Sequence, residues 1–258
     1  MDVRTLRAAA GNAARYASPR WYFKHRNGVN GPHGRPTAPW ANAVLRENSQ
    51  VEDCVAQLQA LGLPPSKDTP KNWDALAALD LILKSTPRGA RVFDAGGERY
   101  SMILPWLWLY GYRHLIAGNL AFTTRDRLGP IVYEPADITR TRYPDGRFDA
   151  VTCLSVIEHG VDLERYFNEM ARIIVPGGLL VTSTDYWPTP VDTRGQHAYG
   201  VPIHIFTRAE ITDALALARR CGFEPLATPQ LDADEPVVHW QPYDLHYTFA
   251  IFSLRKLH

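Results

Sequence analysis

From Lys71 onward the chain alternates between short apolar stretches and segments with the periodicity of helices. Such alternation predicts an α/β fold, because neighbouring parallel strands need a long crossover connection that is usually helical. The predicted strands are 91–95, 114–120, 131–133, 148–156, 178–184, 223–227 and 247–254. The predicted helices are 73–84, 101–110, 162–174 and 208–221. We therefore predict a mostly parallel seven-stranded sheet with helices on both faces.

Local signals define the ends of some of these elements. Thr207 and Glu210 have the spacing of a capping box at the start of the last helix. Gly222 is suited to end that helix, because glycine readily adopts the left-handed conformation that follows many helices. Only ten residues separate Leu120 from Ile131. That length predicts a turn or a single helical turn instead of a crossover helix.

The first 70 residues have a different character. Glycine and proline punctuate Gly28–Pro39, which predicts a loop, and Val51–Leu61 has the apolar spacing of a helix. This part is too rich in loop signals to form its own core, so we predict an N-terminal helical and loop cap (1–70) on a main domain (71–258). The aromatic and basic cluster Trp21–Arg26 could contact a phosphate or nucleotide, but a packed arm with solvated charges is favoured.

The composition is typical of a globular cytoplasmic protein. The formal net charge of +1 argues against a mainly electrostatic partner such as bulk DNA or an anionic membrane. Cys54, Cys153 and Cys221 show neither paired nor metal-like spacing, which indicates reduced thiols. No signal peptide or membrane helix is predicted, since no apolar segment approaches about 20 residues. We therefore expect no nucleic-acid or membrane partner.

An acidic residue and two glycines follow the first predicted strand. Glycine lets the backbone turn sharply and approach a ligand closely, and a helix that follows would offer free N–H groups. Asp94, Gly96 and Gly97 are therefore a candidate cofactor turn, although a tight strand-to-helix loop without a ligand has similar residues. NAD(P) is disfavoured, because the G-x-G-x-x-G spacing and the acid expected about 20 residues later are both absent.

Four stretches further define this region: VFDAGG at 92–97, PADI at 135–138, FDAVTCLSVIEH at 148–159 and EMARIIVPGGLL at 169–180. In their order and spacing, over roughly residues 71–255, the chain resembles the class I S-adenosylmethionine (SAM)-dependent methyltransferases. The resemblance implies a Rossmann-like methyltransferase fold, an enzyme, and SAM as cofactor. It leaves the substrate open.

The resemblance also implies which residues hold SAM. These are Asp94, Ala95, Gly96 and Gly97 for the methionine part, Asn119 with Leu120 for the ribose, Asp137 and Ile138 for the adenine, and Cys153, Leu154 and Ser155 along the cofactor. Two positions depart from the family pattern. Glu98 replaces the last glycine of the first motif, and Asn119 replaces the acid that holds the ribose hydroxyls. These departures keep open a SAM-binding or regulatory module without turnover.

Two residues are candidate general bases. His159 follows the fourth predicted strand at the edge where open α/β sheets bind ligands, and the pKa of histidine suits proton transfer near neutral pH. It could instead only orient a loop. Asp185 is the second candidate, as a base or a metal ligand. Because no further ligands stand at a recognisable spacing, we expect no metal.

The segment 184–204 leaves the carboxyl end of a central strand, so we expect it to overhang the site. Its candidate substrate contacts are Tyr186, Trp187, His197 and His204. Aromatic faces with polar groups suit a polyhydroxylated acceptor, and they equally suit a well-packed lid. The segment loosely resembles one in methyltransferases of glycan and polysaccharide assembly, which favours O-methylation of a sugar, glycan or glycosylated small metabolite. A nitrogen or carboxylate acceptor stays open.

Two tryptophans in the second predicted helix, Trp106 and Trp108, are predicted to lie in the core or at a subunit interface. A homodimer therefore also stays open.

Overall fold

The computed structural model describes residues 32–258, and the Trp21–Arg26 cluster lies outside them. The helices are α1 (Asn48–Ala60), α2 (Lys71–Ser85), α3 (Ile103–Leu109), α4 (Leu163–Ile173) and α5 (Arg208–Arg220). The strands are β1 (Asn42–Val44), β2 (Arg91–Ala95), β3 (His114–Asn119), β4 (Asp126–Leu128), β5 (Ile131–Pro135), β6 (Phe148–Leu154), β7 (Ile174–Tyr186), β8 (His197–Ala198), β9 (Val201–Pro202), β10 (Phe223–Pro225), β11 (Val238–Trp240) and β12 (Leu245–Lys256).

The main sheet has the order β1-β12-β7-β6-β2-β3-β5-β4, with β10 and β11 also paired to β12. Strands β5, β3, β2, β6 and β7 are parallel, and β12 is antiparallel to β7. The α/β fold with a parallel centre is confirmed. Among the described residues the sheet has ten strands instead of the predicted seven, and only half of them are parallel.

The three additional strands β1, β4 and β11 have three residues each. Three residues are too few to show an alternating pattern, so their pairing partners define them. β4 turns back antiparallel onto β5. The short connection before Ile131 is therefore a hairpin turn without a crossover helix, in agreement with its length.

Alternate side chains of the central strands enter two hydrophobic cores, one on each face of the sheet. Val92 belongs to the core that contains α1, α2 and α3, and its neighbour Phe93 belongs to the core of α4 and α5. Trp106 and Trp108 are completely buried within the chain. They are therefore core residues, and they do not form a subunit interface.

The capping box at the start of α5 is confirmed, with Glu210 N donating to Thr207 Oγ1 and Thr207 N donating to Glu210 Oε2 at 2.8 Å. Gly222 has a φ of +90° directly beyond this helix, as predicted. None of the helices that the structure describes is both long and apolar enough to cross a bilayer.

The N-terminal segment has a role that the predicted cap does not include. Residues 42–44 pair with residues 252–250 and complete the edge of the main sheet. Asn42 reinforces this contact, because its Oδ1 accepts a hydrogen bond from Ser253 N at 2.6 Å. The segment is thus part of the same folded unit as β12.

Candidate active site

The parallel strands β2, β3, β6 and β7 all end at one edge of the sheet. The chain passes from β2 outward through β3 and β5 and then returns to β6 on the other side of β2. Such a reversal of strand order leaves a crevice at the carboxyl ends of the strands, where open α/β sheets bind ligands. This crevice is therefore the place where a ligand is expected to bind.

The glycine turn after β2 needs both of its glycines. Gly96 has a φ of +81°, and a Cβ at this residue would lie 2.5 Å from the Val156 side chain. A Cβ at Gly97 would overlap the Asp94 carboxylate. Gly96 N donates to Gly118 O at 2.7 Å, which ties the turn to β3. This backbone is therefore held in a bare, close-packed form that is typical of ligand cradles.

Asp94 lies beneath this turn and is 2% exposed. Its Oδ1 accepts a hydrogen bond from Thr152 Oγ1 at 2.7 Å. Burial raises the pKa of Asp94 to about 7, and the Thr152 hydroxyl opposes that rise. A cationic ligand group beside this carboxylate would lower its pKa and would be stabilised by it. Thr152 was not predicted, although a hydroxyl inside an apolar strand and in register with Asp94 was a usable signal.

Asn119, at the end of β3, is bonded to the glycine turn. Its Nδ2 donates to Gly96 O at 2.7 Å and to Glu98 Oε1 at 3.1 Å, and its Oδ1 accepts from Ala121 N at 2.8 Å. The two residues that depart from the family pattern therefore contact each other. The Glu98 carboxylate thus accepts a hydrogen bond from the side-chain amide that was expected to meet a ribose. Leu120, beside them, is 77% exposed.

Asp137 and Ile138 follow β5 at the same edge. Asp137 Oδ1 accepts from Thr139 N at 2.9 Å and from Thr139 Oγ1 at 2.7 Å. Asp137 is exposed, whereas the Ile138 side chain is buried. The Asp137 carboxylate therefore holds its own turn, and Ile138 offers little surface to an adenine.

A second group of polar side chains surrounds Lys71, the first residue of α2. Lys71 Nζ contacts Ser155 Oγ and lies 3.7 Å from the centre of the Phe249 ring. Ser155 N in turn donates to Ser183 O at 3.0 Å. Ser183 Oγ donates to Asp74 Oδ2 at 2.6 Å, with Asp74 one turn along α2 from Lys71. Helix α2 therefore brings a cation and a buried carboxylate to the ends of β6 and β7.

Three buried carboxyl groups face this lysine, and we call Asp74, Glu158 and Asp185 the carboxylate cluster. Burial raises the pKa of Glu158 to about 7, and Lys71 opposes the rise. Burial, together with the charge of Glu158, raises the pKa of Asp185 to about 8. Burial also raises the pKa of Asp74 above its usual range. The cluster therefore retains protons near neutral pH.

His159 lies beside the carboxylate cluster. Burial lowers its pKa, and the charge of Asp185 partly opposes this effect. The Tyr247 hydroxyl lies near Asp185 and opposes the rise in the pKa of its carboxyl. The structure thus brings the two predicted bases together and adds Glu158, Lys71 and Tyr247.

The four predicted substrate residues lie in different surroundings. Tyr186 is completely buried, and its hydroxyl donates to Leu231 O at 2.6 Å, so it has no surface to offer a substrate. Trp187 is half-buried and packs against the core. His197 is exposed and contacts Gly195 O, whereas His204 Nε2 lies 3.2 Å from Glu210 Oε1. These two histidines therefore have local partners.

Tyr199, which was not among the predicted site residues, connects the 187–206 loop to His159. Its ring meets the His159 ring edge-on with 5.2 Å between centroids, and it is 80% exposed. A cavity of about 530 Å³ is lined by Glu158, by His204 of this loop and by residues of α5. This cavity does not include the glycine turn.

Sequence reasoning missed Lys71, Asp74, Thr152 and Tyr247. Asp74 carried a signal, because it is an acidic residue inside the otherwise apolar pattern of α2. Lys71 and Tyr247 carried none, because they reach the site from distant parts of the chain.

Comparison with known proteins finds sequence similarity to methyltransferases over part of the chain. Residues 114–182 match a sequence family described as methyltransferase domain. A sterol 24-C-methyltransferase of Aspergillus fumigatus is 28% identical over 106 residues, which are 39% of this chain and 28% of that protein. A demethylmenaquinone methyltransferase of Deinococcus radiodurans is 43% identical over 51 residues, 20% of this chain and 21% of that protein. The chain therefore spans only about a quarter of the length of these relatives.

Solved structures extend the likeness to the whole fold. A SAM-dependent methyltransferase from Mesorhizobium loti is similar with a TM-score of 0.51, 20% identity and coverage of 72% of this chain and 98% of that chain. A geranyl diphosphate C-methyltransferase from Streptomyces coelicolor A3(2) was crystallised with Mg²⁺, geranyl diphosphate and S-adenosyl-L-homocysteine. It is similar with a TM-score of 0.55 and 16% identity, and the match covers 94% of this chain and 98% of that chain. The [4+2]-cyclase SpnF is similar with a TM-score of 0.51 and 16% identity, and the match covers 88% of this chain and 98% of that chain. The chain thus has the Rossmann-like fold of the class I SAM-dependent methyltransferases, and residues 114–182 carry their methyltransferase-domain sequence pattern.

Proposed function

We propose that this protein is a SAM-dependent methyltransferase that methylates a hydroxyl group of a sugar, glycan or glycosylated small metabolite. The observation that carries the proposal is the position of His159 and the carboxylate cluster at the same sheet edge as the Asp94 glycine turn. A methyltransferase whose acceptor is a hydroxyl group needs both a nucleotide cradle and a group that takes up the acceptor proton, and this edge offers both.

The glycine turn fits the cofactor by its chemistry. Bound SAM supplies a methyl group on a sulfonium, together with an ammonium and a nucleoside. Asp94, a buried carboxylate with its pKa raised to about 7, suits a cationic group of such a ligand. Gly96 and Gly97 leave the turn without side chains on the approach. Asn119 and Glu98 stand together where ribose hydroxyls would need partners.

His159 is the better of the two candidate bases. Its lowered pKa leaves the imidazole neutral at physiological pH, so that it can accept a hydroxyl proton. Asp185, with a pKa raised to about 8, holds a proton under the same conditions. Its role is then to orient the imidazole. When Asp185 loses that proton, its charge stabilises the imidazolium, the effect that partly opposes the lowering of the His159 pKa.

Two exposed tyrosines support a sugar-like acceptor. Tyr100 is 78% exposed and follows the glycine turn by three residues, and Tyr199 is 80% exposed with its ring against His159. Each half of the proposed site therefore has an exposed aromatic ring close to it. Flat aromatic faces beside hydrogen-bonding groups are typical of small-molecule sites, and they suit the apolar face of a pyranose ring.

A SAM-binding protein that does not transfer methyl groups is the second candidate. The bonds between Glu98 and Asn119 favour it, because they occupy the expected ribose partner. The similarity to a [4+2]-cyclase is also consistent with other chemistry on this fold. A nitrogen or carboxylate acceptor is distinguished by the mass and linkage of the product.

Binding and turnover test the proposal separately. SAM and S-adenosylhomocysteine are titrated calorimetrically into the wild type, Asp94→Ala and the exposed control Asp53→Ala. We expect Asp94→Ala alone to weaken binding, by roughly tenfold to a hundredfold for a charge-assisted contact. Failure of either ligand to bind at millimolar concentration would sink the proposal.

Methyl transfer is then measured with isotopically labelled SAM and a panel of sugars, glycosides and amines. We expect His159→Asn to lower kcat by about 10² to 10⁴ while S-adenosylhomocysteine still binds. If only an amine becomes labelled and no sugar does, the acceptor is a nitrogen compound and the proposed sugar acceptor is wrong. The absence of product from all acceptors, with intact SAM binding, would favour the non-transferring protein.

A further inference from the structure

The hairpin of β11 and β12 carries two histidines on the same side. His239 and His246 are directly opposite each other in the register of the two strands. Their imidazole rings are stacked with 4.0 Å between centroids and 13° between planes. Directly opposed residues on one face of an antiparallel pair are close enough to act on one ligand. The pair lies outside the methyl-transfer site described above.

The turn of the same hairpin adds a carboxylate. Asp244 Oδ1 lies 3.1 Å from His239 Nε2 and 3.8 Å from His246 Nε2. One ligand atom from each of these three residues lies within 4.8 Å of the other two. All three side chains are exposed, so an ion could reach them from solvent.

We propose that His239, Asp244 and His246 form a binding site for a divalent transition-metal ion, with Zn²⁺ as the reference ion. A tetrahedral zinc ion with bonds of about 2.0–2.1 Å holds its ligand atoms about 3.4 Å apart. The two nitrogen-to-oxygen distances here lie on either side of that value. Because a metal ion lies in the plane of each imidazole that binds it, the two stacked rings would turn toward each other to close with Asp244 around one ion, and water would complete the shell.

The donor set determines which ions fit. Two imidazole nitrogens with one carboxylate suit Zn²⁺, Cu²⁺, Ni²⁺ and Co²⁺, whereas Mg²⁺ and Ca²⁺ prefer oxygen ligands. Gln241 lies beside the other ring nitrogen of His239, with 2.9 Å between Nε2 and Nδ1. Rotation of that amide would present its oxygen to Nδ1–H, the arrangement that fixes a metal-bound imidazole.

The proposed metal site connects to the 187–206 loop through the backbone of its turn. Arg194 donates from its guanidinium to the carbonyl oxygens of Tyr243 and Asp244. The next residue after His246 is Tyr247, whose hydroxyl has its pKa raised by burial and by the nearby charge of Asp185. An ion in this site would therefore hold the turn to which Arg194 ties the 187–206 loop.

Metal titration of the tag-free full chain tests the proposal. After dialysis against EDTA, the protein is titrated calorimetrically with ZnCl₂, and Co²⁺ absorption reports the coordination geometry. We expect one saturable site, and a Tm about 5 °C higher when free Zn²⁺ is a hundred times Kd. His239→Ala and His246→Ala should each weaken binding at least about tenfold. Asp244→Asn keeps the shape of the turn but removes the charged carboxylate, so this variant should also bind zinc more weakly.

His114→Ala is the matched control, since His114 is an exposed strand histidine outside this hairpin. The Tm in EDTA verifies that every variant is folded. Equal affinity of wild type, His239→Ala and His246→Ala would overturn the proposal, as would the absence of saturable binding. Magnesium binding that matches zinc binding would also contradict it.

Discussion

Glu98 and Asn119 show how two substitutions in a motif can depend on each other. Asn119 donates hydrogen bonds to the Gly96 carbonyl and the Glu98 carboxylate, so its amide holds the glycine turn in place. An aspartate in position 119 could donate neither bond. Because Glu98 already brings a carboxylate to this point, a neutral donor beside it avoids two like charges in contact. The asparagine in position 119 therefore suits the glutamate in position 98.

At the residue scale, we expect Asn119→Asp to weaken the turn. The variant loses two donated hydrogen bonds and places a carboxylate against a carbonyl and Glu98, at a cost of about 1–3 kcal/mol in the free energy of unfolding. Urea unfolding and S-adenosylhomocysteine titration measure the effect. Glu98→Gln alone keeps an acceptor for Asn119 and serves as control. The Glu98→Gln, Asn119→Asp double variant should recover part of the loss, and a purely additive result would contradict the coupling.

Strand β12 shows how short elements complete a long one. β10, β1 and β11 cover successive stretches of its outer edge, opposite residues 256–254, 252–250 and 247–245. An uncovered long edge strand would be a template for aggregation, and these short strands pair most of its backbone groups. The helices rely on local signals instead. Helix α5 begins at a complete capping box and α4 begins at Asp162, whose carboxylate accepts from Arg165 N.

At the element scale, we expect Thr207→Ala to lower the free energy of unfolding by about 1 kcal/mol. The hydroxyl accepts the Glu210 backbone N–H, which otherwise has no partner within the first turn of α5. Urea denaturation followed by far-UV circular dichroism measures the loss. Thr212→Ala, which removes a hydroxyl on the exposed face of the same helix, should change stability by less than about 0.5 kcal/mol. Equal effects of the two variants would count against a role for the cap.

The whole molecule divides its site between two chemical environments. The β2–β3 side offers a bare turn above one buried carboxylate, and the β6–β7 side offers Lys71, His159 and the carboxylate cluster. Raised pKa values on both sides make the folded state prefer protonated carboxyls. Each such group makes its full contribution to the free energy of unfolding when the pH is below the pKa that the group has in the unfolded chain. That pKa is near 3.8 for aspartate and 4.5 for glutamate. That contribution declines as pH rises and is lost once pH passes the folded pKa.

At the scale of the whole molecule, we therefore expect Asp94, Glu158 and Asp185 to make stability fall as pH rises from about 4 to about 8. Asp94 and Glu158 lose their contribution by about pH 7 and Asp185 by about pH 8. His159 acts in the opposite direction, but only below its ordinary pKa of 6.5. Urea unfolding at several pH values measures the slope. Asp185→Asn, which carries no titrating proton, should flatten it, and an unchanged slope would refute the assignment.

The sequence by itself determined the alternation of the fold, the caps of its last helix, the short turn before β5 and the order of the methyltransferase motifs. These features are local, because periodicity, capping and glycine turns involve residues a few positions apart. Asp94, His159 and Asp185 could be found for the same reason, since each closes or follows a strand with a clear apolar pattern.

The tertiary structure alone decided the rest. The short strands β1, β4 and β11 exist because of their partners. Lys71 and Tyr247 reach the carboxylate cluster from segments far from β6 and β7 in the chain. Tyr186 was expected at the substrate and is buried, because β7 continues to that residue and turns its side chain into the core. Burial, register and pKa depend on every neighbour in space, which no local pattern contains.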